Sequence, residues 1–548
     1  MSKRWLAAAP LIVAALIFAT AATGSGTKAT SSGGTFRLGT ASGIDSLNPY
    51  VAFNQDAYCA FQYIYPILVQ YDSKLHIAPF FAVSWKHSKD GKTWTFKTRA
   101  HAKWSDDKPL TAADAAWTIN TDIKYKNGGA ANEAGIINHI KNAAAPNATT
   151  LVIHYGKAPN AAYVLAQLQQ FFILPKHIWA QHIGKKGAGL KTFANNAPVV
   201  GSGPFNLIKF QKNNIAIFQR NDSYWGVKPK IAEFGLQQYS DDDAMIQALK
   251  SHGLDAVEAV PATAMKTLRS SGFTVSQLPG LDQTDFIINS NPKKKHHREL
   301  LNLKVKEAFD HAIDRAKIDS VTFLGAARPA NSIIPASSGP GWHNPHLKTV
   351  SFNLKLANQI LDKLGFKKGS DGIRVARGNK MSYNVVTPTD VQSIPRTFQI
   401  IQTDFKKIGV QLKQQALDST AAFDQMTKPN NTYQGFDLAM WDWTALIDPD
   451  FMLSVVTCDQ YGGWSDSGYC NKKYDKWYSQ QQVAGTDAKR RQLVWKMQAY
   501  LYNQRPYLWL ANDDSVDAVS KNWVGFKNTA QGPFNEINIQ SLTQVHQK

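Results

Sequence analysis

The sequence predicts an α/β protein with more than one domain, and three observations lead to that class. The chain has 548 residues, more than a single hydrophobic core usually contains. Hydrophobic residues make up 43% of it and aromatic residues 11%, which is enough apolar material for large cores. Segments with strand-like alternation lie between segments whose apolar residues recur at helical spacing, as in α/β proteins.

Individual strands and helices are predicted from local patterns. Residues 93–99, TWTFKTR, and 214–221, NIAIFQRN, alternate with a period of two and are expected to be strands. Apolar stripes predict helices at residues 303–318 and 353–365, and a Thr cap and a terminal proline delimit a third helix at 486–506. Asn353 is the expected N-cap of the second helix, and Gly365 follows its last apolar residue.

The N-terminus predicts export. Lys3 and Arg4 precede an apolar stretch and then small residues, which is the order found in signal peptides. Residues 1–21 are therefore expected to be a signal peptide cleaved after Ala21, because the apolar stretch is too short for a membrane span. Residues 22–34, which are rich in Gly and Ser, are expected to be a flexible tether.

The charge of the chain is strongly basic, but its distribution does not favour nucleic acid. The formal net charge is +20, from 61 Lys and Arg against 41 Asp and Glu. These basic residues are scattered along the sequence, so nucleic acid is not expected as a partner. The densest group, KKKHHR at 293–298, is expected to be a solvated loop, with a polyanion contact as the alternative.

Two of the three cysteines are predicted to form a disulfide. Cys458 and Cys470 bracket a segment rich in Gly and Ser, and an exported chain can oxidise such a pair. Closing this loop would stabilise the fold by about 3 kcal/mol. Cys59 is expected to be a small buried apolar residue.

No sequence motif points to catalysis or to a cofactor. Residues 199–205, VVGSGPF, lack the pattern of a nucleophile elbow, and the chain has neither H-E-x-x-H nor a P-loop. The carboxylates of SDDDA, 240–244, are expected to cap a helix, with a cation site as the alternative. An enzyme is therefore not expected, and neither a cofactor nor a bound metal is expected. The competing hypothesis is a secreted hydrolase that uses Asp442 and Asp448 as acid and base.

A series of motifs in sequence order resembles one known family. The motifs are DSLNPY, the block YIYPILVQYDSKLHIAPFFAVSWKHSKDGKTWTFKTRAHAKWSDDKPLTAADAAW, GSGPFNLIKF, NDSYWG, HGLDAV, VKEAFDHAIDR and DFKKIGVQL. Together they are similar to those of the extracellular solute-binding proteins of ABC importers, in the peptide, nickel and oligopeptide class (family 5). The resemblance covers nearly the whole mature chain.

This resemblance implies a fold and a domain organisation. The expected fold is the two-lobed periplasmic-binding-protein type II fold, or Venus flytrap, with an extra domain inserted in the first lobe. Lobe I would comprise residues 35–75, 200–290 and 508–548, the extra domain 76–199, and lobe II 291–507. The ligand would bind between the lobes, and closure would bury it.

The implied function is that of a non-catalytic receptor. It would bind a peptide or another small-molecule solute and deliver it to the membrane permease of an ABC transporter. A carrier of a metal chelate, such as a nickel complex, is the alternative. The protein is expected to be a monomer in the periplasm or on the outer face of the cell membrane. Many relatives carry a lipid-anchoring cysteine near the position of Thr23, so lipidation through an N-terminal cysteine is not expected here.

The segment WDWTALIDPDF, 441–451, is implied to lie beside the ligand. In peptide-binding members, an aspartate that follows the tryptophan of this motif holds the free α-amine of the ligand. Its place here falls at Ala445 or Leu446. The amine anchor is therefore expected to be lost, unless Asp442 or Asp448 replaces it.

Five further residues are candidates for the site. Arg396 matches an arginine that pairs with the ligand carboxylate in dipeptide binders, and its alternative role is that of a surface arginine at a helix start. Trp441 and Trp443 are expected to line the cleft, with the core as the alternative. Phe53 and Tyr58 are expected near the first-lobe side of the cleft. The solute is thus expected to need an acidic group more than a free α-amine.

Overall fold

The computed structural model describes residues 35–339, 341–529, 532–534 and 538–548. The predicted signal peptide, 1–21, and the predicted tether, 22–34, lie outside the described residues. Within the described ranges, no helix combines the length and the apolar character that crossing a membrane requires.

The strands are distributed along the whole described chain. They are β1 (Thr35–Thr40), β2 (Val69–Tyr71), β3 (Ile77–Pro79), β4 (Ala82–His87), β5 (Thr93–Thr98), β6 (Ile140–Asn147), β7 (Thr150–Tyr155), β8 (Phe205–Gln211), β9 (Ile215–Arg220), β10 (Glu233–Gln238), β11 (Ala256–Val257), β12 (Thr274–Ile288), β13 (Ala327–Pro329), β14 (Val375–Ala376), β15 (Asn379–Lys380), β16 (Ser382–Pro388), β17 (Gln411–Leu417), β18 (Leu438–Thr444), β19 (Tyr507–Val519), β20 (Trp523–Val524) and β21 (His546–Gln547).

The α-helices alternate with these strands. They are α1 (Gln55–Ile64), α2 (Ala112–Tyr125), α3 (Ala161–Gln169), α4 (Lys176–Trp179), α5 (Ala188–Thr192), α6 (Asp242–Lys250), α7 (Ala262–Ser270), α8 (Leu303–His311), α9 (Arg315–Ile318), α10 (Leu354–Lys363), α11 (Ser393–Lys407), α12 (Ser419–Thr427), α13 (Asp450–Ser454), α14 (Lys472–Gln482), α15 (Asp487–Gln504) and α16 (Ile539–Gln544).

A mixed sheet of 11 strands organises the molecule. Its strand order is β17-β16-β18-β12-β19-β11-β1-β10-β9-β8, with β13 paired to β19. β12 and β19 are the longest strands, with 15 and 13 residues, and they pair with each other in antiparallel fashion. These two strands therefore join the half of the sheet that contains β16–β18 to the half that contains β1 and β8–β11. A separate sheet has the order β4-β5-β7-β6.

Two hydrophobic cores cover opposite faces of β12 and β18. Phe286 and Ile288 of β12 belong to one core, and Ile287 between them belongs to the other. This alternation is what a strand buried on both faces requires. The largest core lies elsewhere, and it is formed mainly by residues 36–236 together with 519–545.

Most of the predicted elements are confirmed. The two alternating segments form β5 and β9, and Asn353 caps α10 because its Oδ1 accepts from the backbone N–H of Leu356 at 2.9 Å. The prediction of one continuous helix at 303–318 is wrong, because this segment forms two helices, α8 and α9. The Asp314 side chain accepts from the backbone N–H of Lys317 at 3.0 Å, so it caps a second helix where the apolar stripe predicted an uninterrupted one.

The basic segment at 293–298 is also only partly as predicted. Lys293, Lys295, His296 and Arg298 are exposed, as a solvated loop requires. Lys294 is buried, and its Nζ lies 2.9 Å from an oxygen of Asp437. A sequence pattern could not show this, because the carboxylate partner is more than a hundred positions away in the chain.

Candidate functional site

The WDWTALIDPDF segment begins on β18, next to the two longest strands. Register pairs Asp285 of β12 with Trp441 of β18 on one side and with Trp509 of β19 on the other. Asp282 and Thr444 also face each other across β12 and β18. Because successive side chains of a strand point to opposite faces, the residues of this junction fall into two groups.

The first group contains the two tryptophans predicted from sequence. Trp443 is buried in the core, and its Nε1 donates to Asp466 Oδ2 at 2.9 Å. Trp441 is half-buried, and its ring centroid lies 6.3 Å from that of Phe423. The two rings therefore share one face of the sheet, where Trp443 belongs to the core and Trp441 keeps part of its surface accessible.

Asp466 is a buried carboxylate whose hydrogen bonds come from two aromatic residues. In addition to Trp443, the hydroxyl of Tyr507 donates to Asp466 Oδ1. Burial raises the pKa of Asp466 to about 6, and these two donors act in the opposite direction. The side chain is thus fixed by its neighbours within the fold.

Asp442 lies on the other face of the sheet, away from the two tryptophans. Its neighbours there include Asp282, which accepts from the hydroxyl of Thr444 at 2.6 Å, and Asp513, which accepts from Thr284 at 3.2 Å. Burial raises the pKa of Asp442 to about 7, and the charge of Asp282 adds to the increase. The structure therefore separates Asp442 from Trp441 and Trp443, although the three residues are consecutive.

Asp448 is held by a partner that the sequence analysis did not identify. Its two oxygens each accept a hydrogen bond of 2.6 Å from Arg490 of α15, and both side chains are buried. The Arg490 guanidinium also lies 4.8 Å from the ring centroid of Trp342. The neighbouring Asp450 accepts from Gln481 and from the Tyr478 hydroxyl. This group forms a bidentate ion pair inside a larger buried network.

The three remaining predicted site residues lie on helix α11 and at helix α1. Arg396 lies in the first turn of α11 and is exposed. Phe53, just before α1, is exposed over 59% of its surface. Tyr58 of α1 is half-buried, and its hydroxyl donates to the carbonyl of Ala52 at 3.2 Å. Their ligand contacts stay predictions.

Polar contacts also connect residues 76–199 to the α14–α15 region. The backbone N–H of Asn160 donates to the Gln482 carbonyl at 2.8 Å, and its side chain donates to Asp487 at 3.0 Å. The His139 Nε2 and Gln482 Oε1 are 2.9 Å apart. Since Gln482 also donates to Asp450, these contacts continue the buried network that contains Asp448.

The predicted disulfide is confirmed, and no metal site was found. Cys458 and Cys470 are bridged, and the loop that they close carries Asp466. Cys59 is buried in the largest core, as predicted. Within the described part of the chain, no three His, Cys, Asp or Glu side chains are placed so that they could hold a metal ion.

Sequence reasoning missed three residues of this region: Asp285, Asp466 and Arg490. The signal for Asp285 was available, because a carboxylate begins the otherwise apolar run DFII in the middle of a buried strand. Arg490 and Asp466 gave no such signal, since their partners are distant in sequence. Their roles depend on which strands and helices meet.

The fold defines a class of protein, and comparisons with known proteins give the family. The fold is that of the type II periplasmic binding proteins, as predicted. The oligopeptide-binding protein AppA from Bacillus subtilis, solved with a nonapeptide, matches at a TM-score of 0.82 with 21% identity, over 94% of this chain and 99% of that one. NikZ from Campylobacter jejuni, solved with Ni(L-His), matches at 0.81 with 21% identity and the same coverage.

The family itself is established by sequence. The profile of the bacterial extracellular solute-binding proteins, family 5, matches residues 76–463, so this chain belongs to that family. Protein XP55 from Streptomyces lividans is 26% identical over 91% of this chain and 87% of its own length. The dipeptide-binding protein of Escherichia coli (strain K12) is 24% identical over 84% of this chain and 86% of its own length.

Proposed function

We propose that this protein binds a peptide or peptide-like solute outside the cytoplasm and delivers it to the permease of an ABC importer. Membership of the solute-binding family over residues 76–463 is the observation that carries the proposal. The protein would act as a monomer and would release its ligand chemically unchanged. The dipeptide-binding protein of Escherichia coli and the nonapeptide complex of AppA support a peptide, and the Ni(L-His) complex of NikZ is the reason to keep a metal chelate as the alternative.

The solute would bind between lobes with the boundaries predicted from sequence. Lobe I would comprise 35–75, 200–290 and 508–548, with 76–199 as its extra domain, and lobe II would comprise 291–507. One feature supports this division, because β12 and β19 connect the two halves of the large sheet, as a hinge would. Asn160 contacts α14 and α15 across the proposed boundary. Opening at the hinge would then admit the solute.

Four of the predicted site residues would contact the solute, from both lobes. Arg396 would pair with its carboxylate, since a guanidinium can donate two parallel hydrogen bonds to one carboxylate. Trp441 would offer the exposed part of its ring, and Phe53 and Tyr58 would lie on the lobe I side. Asp442 would contribute charge near the hinge. Asp448 would affect binding indirectly, because its ion pair with Arg490 holds its loop in place.

Mass spectrometry of the ligand that co-purifies with the native protein tests the proposed function. We expect a peptide or a peptide-like molecule, whose binding is then measured by titration calorimetry. A co-purified nickel complex would contradict the proposal in favour of the metal-chelate alternative. Steady release of new amines from that ligand, abolished by Asp442→Asn, would favour the hydrolase instead.

The role of Arg396 is tested separately. Arg396→Ala should weaken binding of a carboxylate-bearing ligand by at least about tenfold, because the ligand carboxylate loses a charge-assisted partner. Arg269→Ala is the matched control, since Arg269 is another exposed arginine on a helix, α7. Equal affinities for both variants and the wild type would exclude Arg396 from the site.

A further inference from the structure

We propose that Asp285 binds a protonated primary amine of the solute, and that it replaces the amine anchor expected to be lost from the WDWTALIDPDF segment. This inference rests on the proposed function, because it assigns a chemical group of the same solute. It names a ligand with an ammonium group next to a carbonyl or carboxylate oxygen, as at a free peptide N-terminus. This differs from the sequence-based expectation that an acidic group matters more than a free α-amine.

Asp285 is a buried carboxylate with no partner in the described part of the chain. It is 1% exposed, and its Oδ1 is buried without a hydrogen-bond donor. No ion pair compensates it among the described side chains, in contrast to Asp448 with Arg490. A buried carboxylate without a donor or a cation is costly, so its presence on a central strand points to a partner supplied from outside.

Two more polar atoms without partners lie on the same face beside Asp285. Gln283 is two positions earlier on β12, and its Oε1 has no donor although its Nε2 donates to Ser332 at 2.7 Å and to Asn512 at 2.8 Å. Trp509 pairs directly with Asp285 across β19, and its buried Nε1 has no acceptor. Directly opposite residues have Cβ atoms about 5 Å apart, and residues two apart on a strand share a face, so the three side chains are neighbours on one face of the sheet.

The three unpartnered atoms have the hydrogen-bonding pattern of one end of a peptide. Asp285 and Gln283 supply acceptors, and an ammonium group supplies three donors. The Trp509 Nε1–H would donate to the oxygen next to that ammonium group. Trp441, opposite Asp285 on β18, would place its ring beside the positive charge, and indole faces attract ammonium groups.

Electrostatics favours a cation at this position. Burial, followed by the negative charges of Asp466, Asp513 and Asp442, raises the pKa of Asp285 well above its ordinary value. These surroundings disfavour the charged carboxylate, and a bound ammonium group would stabilise it. A metal ion does not fit, because the described residues place no group of three ligating side chains together.

The other carboxylates of the region are less suitable as amine anchors. Both oxygens of Asp448 are occupied by Arg490, and Asp466 accepts from Trp443 and Tyr507. Asp442 lies on the opposite face of the sheet from Trp441. Asp285 thus combines a buried, unpartnered oxygen with an aromatic neighbour on each flanking strand.

The experiment uses random tripeptide-to-pentapeptide libraries bound to the full protein. One library has free N-termini and no lysine, a second is the same library N-acetylated, and a third is N-acetylated with one lysine per peptide. Retained peptides are identified by mass spectrometry, and their affinities are measured by calorimetry. Comparing the three libraries distinguishes an α-amine from a lysine side-chain amine.

We expect the wild type to bind amine-bearing peptides at least about 30-fold more tightly than acetylated, lysine-free ones. Asp285→Asn should abolish this preference. Asp122→Asn is the matched control, because Asp122 is another buried carboxyl with a raised pKa, held by the Tyr50 hydroxyl at 2.8 Å in a different region, and it should keep the preference.

Four results would overturn the assignment. If Asp285→Asn keeps the wild-type preference, or if the wild type binds acetylated and free peptides equally, the proposed function stands and Asp285 is not the anchor. If no library is retained, the proposed function fails as well. Should Asp285→Asn not fold, Trp509→Phe keeps the ring and removes the N–H. It should weaken binding of amine-bearing peptides about fivefold, and an unchanged affinity would exclude the site.

Discussion

Asp448 and Asp285 are both buried carboxylates near the two longest strands, but their surroundings differ. Asp448 receives two hydrogen bonds of 2.6 Å from Arg490, and the network around it continues through Asp450 and Gln482 to residues 76–199. Asp285 has a buried oxygen without a donor, beside the unpartnered Nε1 of Trp509. Burial is therefore common to both, and only the presence of a partner differs.

This difference separates two uses of a buried charge. A carboxylate with a bidentate partner serves the fold, and removal of that partner leaves a charge in a medium of low polarity. A carboxylate without a partner adds little to the stability of the empty protein and can be reserved for a ligand. Substitution of Arg490 tests this distinction and has the largest expected effect, and two smaller effects test the contacts around the partnered carboxylates.

Arg490→Met should destabilise the fold by about 3–5 kcal/mol, because it leaves the Asp448 charge buried and uncompensated. The free energy of unfolding in urea measures the change. The double variant Arg490→Met, Asp448→Leu should recover much of the loss, since both charges are then absent. Asp285→Asn should change the stability of the ligand-free protein by less than about 1 kcal/mol. A loss as large as that of Arg490→Met would remove the distinction between the two carboxylates.

The disulfide tests whether the loop around Asp466 needs a covalent constraint. Cys458→Ser, Cys470→Ser should cost about 3 kcal/mol, because the unfolded chain gains the freedom of a loop with a sequence separation of 12. Reduction of the wild type should give the same loss in a thermal melt, which makes it an internal control. Alkylation before and after reduction should differ by two labels, and no difference would mean that the bridge is absent.

Asn160 tests how far the Asp448 network extends. Asn160→Ala should cost about 2 kcal/mol, because it removes the N-cap of α3 and the side-chain bonds to Ala484 and Asp487. Asn353→Ala is the control, since Asn353 caps α10, and should cost about 1 kcal/mol. The larger loss of stability in Asn160→Ala than in Asn353→Ala should appear in urea unfolding. Asn160→Ala should also bind the ligand a few-fold more weakly. Equal losses would show that the contacts across this boundary contribute nothing.

The sequence by itself determined the class, the family and many local elements. Alternation predicted β5 and β9, Asn353 marked the start of α10, and Cys458 and Cys470 were paired correctly. Each of these features depends on residues close together in the chain or on a family pattern that covers most of it. Local hydrogen bonds and hydrophobic periodicity are therefore sufficient to predict the individual strands and helices.

Only the tertiary structure decided which charges have partners. Asp442 was a candidate to replace the missing amine anchor, and strand alternation places it on the face of the sheet opposite Trp441 and Trp443. Asp448 was a candidate anchor until α15 brought Arg490 against both of its oxygens. Asp285 became a candidate because β18 and β19 place Trp441 and Trp509 beside it, and because no described cationic side chain pairs with it. Coulombic and hydrogen-bonding partners are set by distance in space, and sequence separation does not reveal that distance.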